Sequence, residues 1–370
     1  MKRLGIIGGS GLYEWPGLEK AEWRRVLTPF GAPSDEFLCG EWRGCPVVFL
    51  PRHGRGHRLL PSEIPHRANI FGLKMLDVGA VVSVSAVGSL REEMRPRDVV
   101  LPDQYFDRTK ASAAHTFFGN GVAAHVAFGE PTCPALRRRL AAVLRRLLET
   151  DSEGRRFFDR GVYVNMEGPA FSTRAESETY RRLGFDVIGM TSLAEAKLCR
   201  EAEICYQPLA MVTDYDCWHT SAEAVTVEMV IANVSANAAL ARSVLMRFIE
   251  TWMEQPPSED ECGCARALEN ALITDRATVA AQTRSAPACL RARATSRRVA
   301  PVVITSSTSR NRFPSAQAGS RTAKASRTFR ARSPMLSRVC VPVSRVRSIP
   351  RKTGIPYRRA NRSARSWDWL

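Results

Sequence analysis

Short apolar runs that each end in a polar constellation, with helical patterns between them, constrain this chain more than any other feature. Leu4–Ile7, Pro46–Leu50, Ala80–Val84, Val99–Pro102, Val162–Asn165, Asp186–Gly189 and Cys205–Val212 read as strands. Residues 67–78, Pro134–Leu148, Ser172–Leu183, a stretch opened by Ser192, 221–253 and 260–274 read as helices. Pro134 suits a first helical turn, Ser172 suits an N-cap, and Ser192 with Glu195 three residues on reads as a capping box. Strands alternating with helices predict an α/β fold, a single domain with a central mixed, partly parallel sheet flanked by helices.

The strand ends carry the chemistry. Gly8-Gly9-Ser10-Gly11, Arg52-His53, Ser85-Ala86, Met190-Thr191 and Asp214/Asp216 all fall there, and open sheets bind ligands outside the carboxyl ends of their strands. The glycine loop lets backbone N–H groups face an anion. It lacks the Lys-Ser/Thr of a nucleotide-phosphate loop and the full dinucleotide fingerprint, so by itself it reads as a tight turn. Arg52-His53-Gly54-Arg55-Gly56-His57 offers donors to an oxyanion, against the plainer reading of a solvated basic turn. As a metal motif, His53 and His57 lack the intervening Glu and the helix of a zinc-protease site.

In Leu209-Ala-Met-Val-Thr-Asp214-Tyr-Asp216-Cys-Trp218 an apolar run delivers two carboxylates beside aromatics. Two residues apart on an extended segment, they are expected to project to the same side and to read a group rich in donors, such as an aminated heterocycle. Alone, Asp-x-Asp after a strand is as readily a turn or a cap. Taken together, the constellations acquire a meaning. Ser10, Ser85 and Thr191 hydroxyls, the Ala86 N–H, Arg52 and His53 can surround a tetrahedral oxyanion. Phe171 can stack on a flat ring, and Asp214 and Asp216 can read its edge. That combination suggests phosphorolysis of a nucleoside.

Charge separates this region from the C-terminal stretch. Residues 281–370 carry 21 Lys and Arg against one acid, Asp368, whereas residues 1–280 carry 33 basic and 36 acidic residues. The C-terminal stretch is rich in Arg, Ser, Ala, Thr and Pro without a sustained period, a composition that does not bury enough surface to offset ordering entropy. The expected division is a catalytic domain at 1–284 and a disordered basic tail at 285–370. A native tail would bind nucleic acid or another polyanion. The acid content and the periodicity fail at the same place, which favours a non-native extension. The ten cysteines include no C-x-x-C pair, and Cys262-Gly-Cys264 reads as two free thiols. No run reaches the roughly 18 apolar residues of a membrane helix, and the start has too short an apolar stretch for a signal peptide. The expectation is a cytoplasmic protein with reduced thiols, no metal and no cofactor.

Residues 1 to about 280 resemble the methylthioadenosine phosphorylase branch of the purine nucleoside phosphorylase family. The stretches that carry the resemblance are Ile6–Leu12, Pro51–Arg55, Pro61-Ser62 through Ala68-Asn69, Gly88–Glu92, Glu167–Ser172, Met190-Thr191 and Thr213–Trp218. The resemblance implies phosphate, as co-substrate, on Ser10, Arg52, His53, Ser85, Ala86 and Thr191. It implies Met190 at the sugar, Phe171, Asp214 and Asp216 at the base, and Ser172 and Val227 in specificity. His125 resembles a histidine that the family donates to a neighbouring subunit, which implies a homo-oligomer, a trimer. Gly189 departs from the Asn that many members carry before Met-Thr. A carboxylic acid in an apolar, carboxylate-paired site keeps its proton more readily, so Asp214 is the expected general acid.

Overall fold

The computed structural model describes residues 2–9, 12, 15, 17–110, 112–219, 227–254 and 261–275. Ser10, Gly11, residues 221–226 and the stretch from 285 to 370 lie outside the described residues. In chain order the elements are β1 (Arg3–Gly8), β2 (Glu19–Arg24), β3 (Phe37–Trp42), β4 (Cys45–Pro51), α1 (His66–Met75), β5 (Val78–Ser89), β6 (Val99–Val100), β7 (Gln104–Asp107) and α2 (Pro134–Leu148). They continue with β8 (Phe157–Phe158), β9 (Val162–Asn165), α3 (Arg174–Arg182), β10 (Val187–Gly189), α4 (Ser192–Glu201), β11 (Cys205–Asp214) and α5 (Val227–Glu254).

The strand β5 organises a mixed sheet of eleven strands. It runs parallel to β1 along Val78–Ser83 and to β11 along Ala80–Gly88, and β10 joins it antiparallel at Gly88 and Ser89. On the far side of β1 lie β4, β3 and β2, while β9 and β7 continue beyond β10. The central strands are apolar on both faces because both faces are covered. Leu4, Ile6, Val47, Phe49, Val82 and Leu209 pack with α2 and α5 through Leu140, Leu144, Val244 and Phe248. Ile7, Val48, Leu50 and Val81 pack with α1 and α4 through Ile70, Leu73 and Leu198. The alternation of neighbours along β4 and β5 between these clusters is the two-residue period of a strand.

The α/β reading therefore holds, with local corrections. The helix expected from Ser172 begins at Arg174. Thr173 caps it, accepting the Glu176 N–H at 3.2 Å while the Glu176 carboxylate accepts the Thr173 N–H at 2.9 Å. The Thr-x-x-Glu spacing wins over Ser172, which has no acid three residues on. The expected box at Ser192 and Glu195 does not form. Thr191 takes the cap position without a side-chain cap bond, and Glu195 turns into the interior. Among the described residues of the helix expected at 260–274, Gly263–Arg266 form a 3-10 turn and no α-helix is present. The strand pair β2–β3 at the sheet edge and the short β7 and β8 escape the sequence pattern, since β2 is mostly exposed and polar, β7 has four partly exposed residues and β8 only two.

Candidate active site

Strand register brings the separate constellations to one place. Asp214 lies opposite Gly88, and Met211 opposite Ala86, so the acids sit about 7 Å, two residues, beyond Ser85–Ala86 along the sheet. Gly88 also pairs with Ile188, just before Met190 and Thr191. On the other side, Gly8 pairs with Pro51, and the Arg52 N–H donates to the Gly8 carbonyl at 2.9 Å.

The acids meet differently from the spacing argument. The strand β11 ends at Asp214, and Asp216 adopts φ +52°, a left-handed turn that Asp tolerates. The two side chains therefore do not project from one side of an extended segment. Instead the turn aims the Asp216 N–H at Asp214 Oδ1, 2.8 Å away, while the Thr213 hydroxyl donates to Asp214 Oδ2 at 2.7 Å. Both acids close over Gly88, where a Cβ would lie 3.0 Å from Asp214 Oδ1 and 3.3 Å from Asp216 Cβ. The segment is a turn, and the turn brings the two acids together. Each acid is 8% exposed. Burial pushes the Asp214 carboxyl up by more than its hydrogen bonds pull it down, and the Asp216 charge adds to the rise. Burial likewise pushes Asp216 up, against the nearby Ser177 and Ser172 hydroxyls, and its Oδ2 has no hydrogen-bond partner among the described residues. From α5, Asn233 and Asn237 amides donate to the Thr213 and Val212 carbonyls at 2.6 and 2.9 Å and hold this strand end.

Arg52 is buried at the end of β4, and most of its donors are already used. Nε donates to Glu195 Oε1 at 2.6 Å, Nη1 to the Val84 carbonyl at 2.8 Å, and Nη2 to Ser83 Oγ at 2.5 Å and to Glu195 Oε2 at 3.4 Å. Of the five guanidinium N–H groups, one on Nη1 is left for a ligand. Glu195 is 2% exposed and also accepts from the Ser83 and Tyr206 hydroxyls at 2.6 and 2.8 Å. Burial alone would raise the Glu195 carboxyl; the Arg52 charge and these bonds outweigh it and leave it below the ordinary value. His53 donates its Nδ1–H to the Leu59 carbonyl at 2.8 Å, which leaves Nε2 without that proton. Burial first, then the Arg52 charge, pull His53 down to about 4, so the ring is neutral. It stacks on His57 at 4.3 Å between centroids.

Ala86 is exposed between buried Ser85 and Val87. Ser85 Oγ lies 3.3 Å from the Tyr163 hydroxyl, and Thr191 is buried beside that same ring. Burial pushes Tyr163 up to about 12. Gly168 packs on Met190, whose Sδ would lie 2.5 Å from a Cβ there. Phe171 is 54% exposed, and Ser172 is half-buried, its carbonyl accepting from Cys217 Sγ at 3.3 Å. His125 is not drawn into this cluster. It is exposed in a loop whose backbone pairs with Ala271 through its N–H at 2.8 Å. Val227 opens α5, and its side chain is not described; Ser10 lies outside the described residues.

A family profile described as the Phosphorylase superfamily matches residues 3–250. The chain belongs to that superfamily. A Geobacter sulfurreducens protein named S-methyl-5′-thioadenosine phosphorylase is 52% identical over 281 residues, covering 76% of this chain and 95% of the relative. A Synechocystis protein of the same name is 54% identical over 271 residues, 73% of this chain and 81% of the relative. Among solved structures, a methylthioadenosine phosphorylase from an antarctic soil metagenomic library superposes with TM-score 0.69 at 45% identity, covering 75% of this chain and 94% of that one. The Schistosoma mansoni methylthioadenosine phosphorylase in complex with adenine gives TM-score 0.68 at 32% identity, with 74% and 99% covered. These relatives place this superfamily member in the methylthioadenosine phosphorylase branch.

Several residues of this phosphorylase that shape the site are not visible in the sequence. Glu195 reads locally as a capping acid; the signal against that reading is its place among Leu193, Ala194, Ala196 and Leu198, all buried. Tyr163 lies inside a strand whose pattern shows only its periodicity. Ser83, Tyr206, Asn233 and Asn237 carry no local motif and gain their roles only through tertiary contacts.

Proposed function

We propose that this protein cleaves 5′-methylthioadenosine with inorganic phosphate, releasing adenine and 5-methylthioribose 1-phosphate. The buried Asp214–Asp216 pair at the end of β11, two residues beyond Ser85–Ala86, is the observation that carries this reading. Phosphate sits against the Ser85 and Thr191 hydroxyls, the Ala86 N–H, the remaining Arg52 N–H and His53, whose unprotonated Nε2 accepts from a protonated phosphate oxygen, with Ser10 completing the cradle. Because Glu195 neutralises Arg52 and His53 is uncharged, hydrogen bonds and the N-terminus of α4 supply most of the attraction.

As the C1′–N9 bond breaks, its electron pair goes to the purine and positive charge grows on the sugar. A phosphate oxygen attacks C1′ and forms the new C–O bond. Asp214 gives its proton to N7 of the leaving adenine and is left as a carboxylate, to be reprotonated from solvent. Proton transfer of this kind contributes about 10²–10⁴-fold. The raised carboxyl keeps that proton available. The exocyclic amine of adenine donates to the acids, whereas a 6-oxopurine would turn a carbonyl toward acceptors. Phe171 faces the base, Met190 the sugar, and Ser172 and Val227 tune the choice of substrate. No organic cofactor enters these steps. His125, exposed and held by the 271–274 stretch, reaches a neighbouring copy in a homotrimer. The reaction belongs to purine and methionine salvage in the cytoplasm.

The test is phosphate-dependent adenine release. Methylthioadenosine is expected to outpace inosine and guanosine, and Asp214→Asn to lower turnover by about 10²–10⁴-fold while improving relative use of 6-oxo substrates. Wild-type turnover is expected to fall as pH rises through the Asp214 value, since the acid form is the active one. Faster phosphorolysis of inosine than of methylthioadenosine would sink the assignment.

A further inference from the structure

Far from the sheet edge that carries Asp214 and Ser85, four thiols meet. Cys133 precedes α2, Cys205 is the first residue of β11, and Cys262 and Cys264 flank Gly263 at the 3-10 turn. Their sulfurs all lie within 4.8 Å of one another, and Cys205 Sγ and Cys262 Sγ are 3.5 Å apart. A tetrahedral zinc with Zn–S bonds of about 2.3 Å sets its sulfurs about 3.8 Å apart on every edge. The cluster is close to that size. Two disulfides would need contact along only two edges, and one of the three pairings, Cys262 with Cys264, is strained at that spacing.

The surroundings suit thiolates. Cys133 and Cys264 are buried and Cys205 and Cys262 half-buried, so the centre is shielded from bulk water. Cys133 occupies the N-cap position of α2, so its sulfur lies at the start of that helix. A helix N-terminus stabilises negative sulfur.

We propose that Cys133, Cys205, Cys262 and Cys264 form a structural tetrathiolate zinc site that ties the 261–275 segment to α2 and β11. Four thiols bind one Zn²⁺ and release up to four protons, with no change of oxidation state. All four positions of the metal are filled by protein, so the site is closed and does no chemistry. Its consequence is mechanical. The tied segment is the one whose Ala271 and Ile273 pair with His125 and Ala123, so zinc steadies the loop that carries His125.

The experiment uses the full chain, expressed with added zinc and purified under reducing conditions. One zinc per chain by mass spectrometry of the metal, and an X-ray absorption shell of four sulfurs at about 2.3 Å, are expected. Cobalt exchanged into the site should show the intense visible bands of a tetrahedral thiolate complex. Cys264→Ser and Cys205→Ser should each lose the metal, and Cys199→Ala, a buried thiol outside the cluster, should keep it. Because a serine variant can misfold, the wild-type metal content and sulfur shell decide the matter on their own. A wild-type chain that carries no zinc, with four free thiols or with a mass lower by two hydrogens per disulfide, overturns the proposal.

Discussion

Gly189 has no room for a side chain. A Cβ there would lie 1.9 Å from the Tyr163 hydroxyl oxygen and 2.7 Å from Cζ. Its glycine therefore keeps Tyr163 between Ser85 and Thr191, in the wall of the proposed phosphate cradle. Gly189→Ala should destabilise the protein by about 1–3 kcal/mol, the usual cost of overpacking a filled interior, and should raise the KM for phosphate as the ring is pushed aside. Adding Tyr163→Phe should recover part of the stability, because the nearest atom is removed while the ring carbon still crowds. Urea denaturation of the single and double variants measures both; an alanine tolerated at no cost would refute the account. The departure from Asn at this position is legible in the sequence, but its cause is not, because Tyr163 belongs to β9 and meets Gly189 only across the sheet. The Asp pair shows the converse. Its residues and their partnership are legible, but the left-handed turn at Asp216 that joins them is set by packing over Gly88.

At the scale of elements, one buried ion pair fastens α4 to the end of β4 and the middle of β5. Arg52 and Glu195 are 3% and 2% exposed along their side chains, 2.6 Å apart, with Ser83, Val84 and Tyr206 adding further bonds. Glu195→Gln removes the carboxylate but leaves the Arg52 charge in the interior, so about 3–5 kcal/mol of stability should be lost. The sign with pH follows from the lowered Glu195 carboxyl. Its contribution is present above the unfolded value and is lost as pH falls through the folded one. Chemical denaturation of wild type and variant at neutral and acidic pH checks this, and the gap between them should narrow toward acid. If the variant matched wild type at neutral pH, the pair would not be what holds α4. The strands and most helices are legible because their apolar period is local. Glu195 is not, because a capping box and a buried acid look alike over four residues; only the partner, far away in sequence, distinguishes them.

For the whole molecule, charge divides the chain. The family profile covers residues 3–250 and the relatives match about three quarters of the chain, while the acids that balance the basic residues of 1–280 disappear beyond 280. Residues 281–370 hold a surplus of 20 positive charges, against a deficit of three in the rest. A surplus of that size attracts any polyanion by counterion release, whatever its sequence, with log K falling by about 0.9 per phosphate neutralised for each unit of log salt. The full chain should therefore bind DNA weakly at low salt and release it steeply as salt rises, while a 1–284 chain should not bind. Such binding is a property of composition and does not make nucleic acid the substrate. Phosphorolysis of methylthioadenosine separates the two activities. The 1–284 chain should keep turnover within about twofold of the full chain, since each group assigned to the active site lies before residue 284 and surface changes away from a site alter stability by roughly 0.5 kcal/mol or less. Parallel assays of adenine release and of DNA binding across a salt series decide it. Loss of phosphorolysis in a 1–284 chain that retains its helical circular dichroism would mean that residues beyond 284 complete the site, and the domain boundary would have to move.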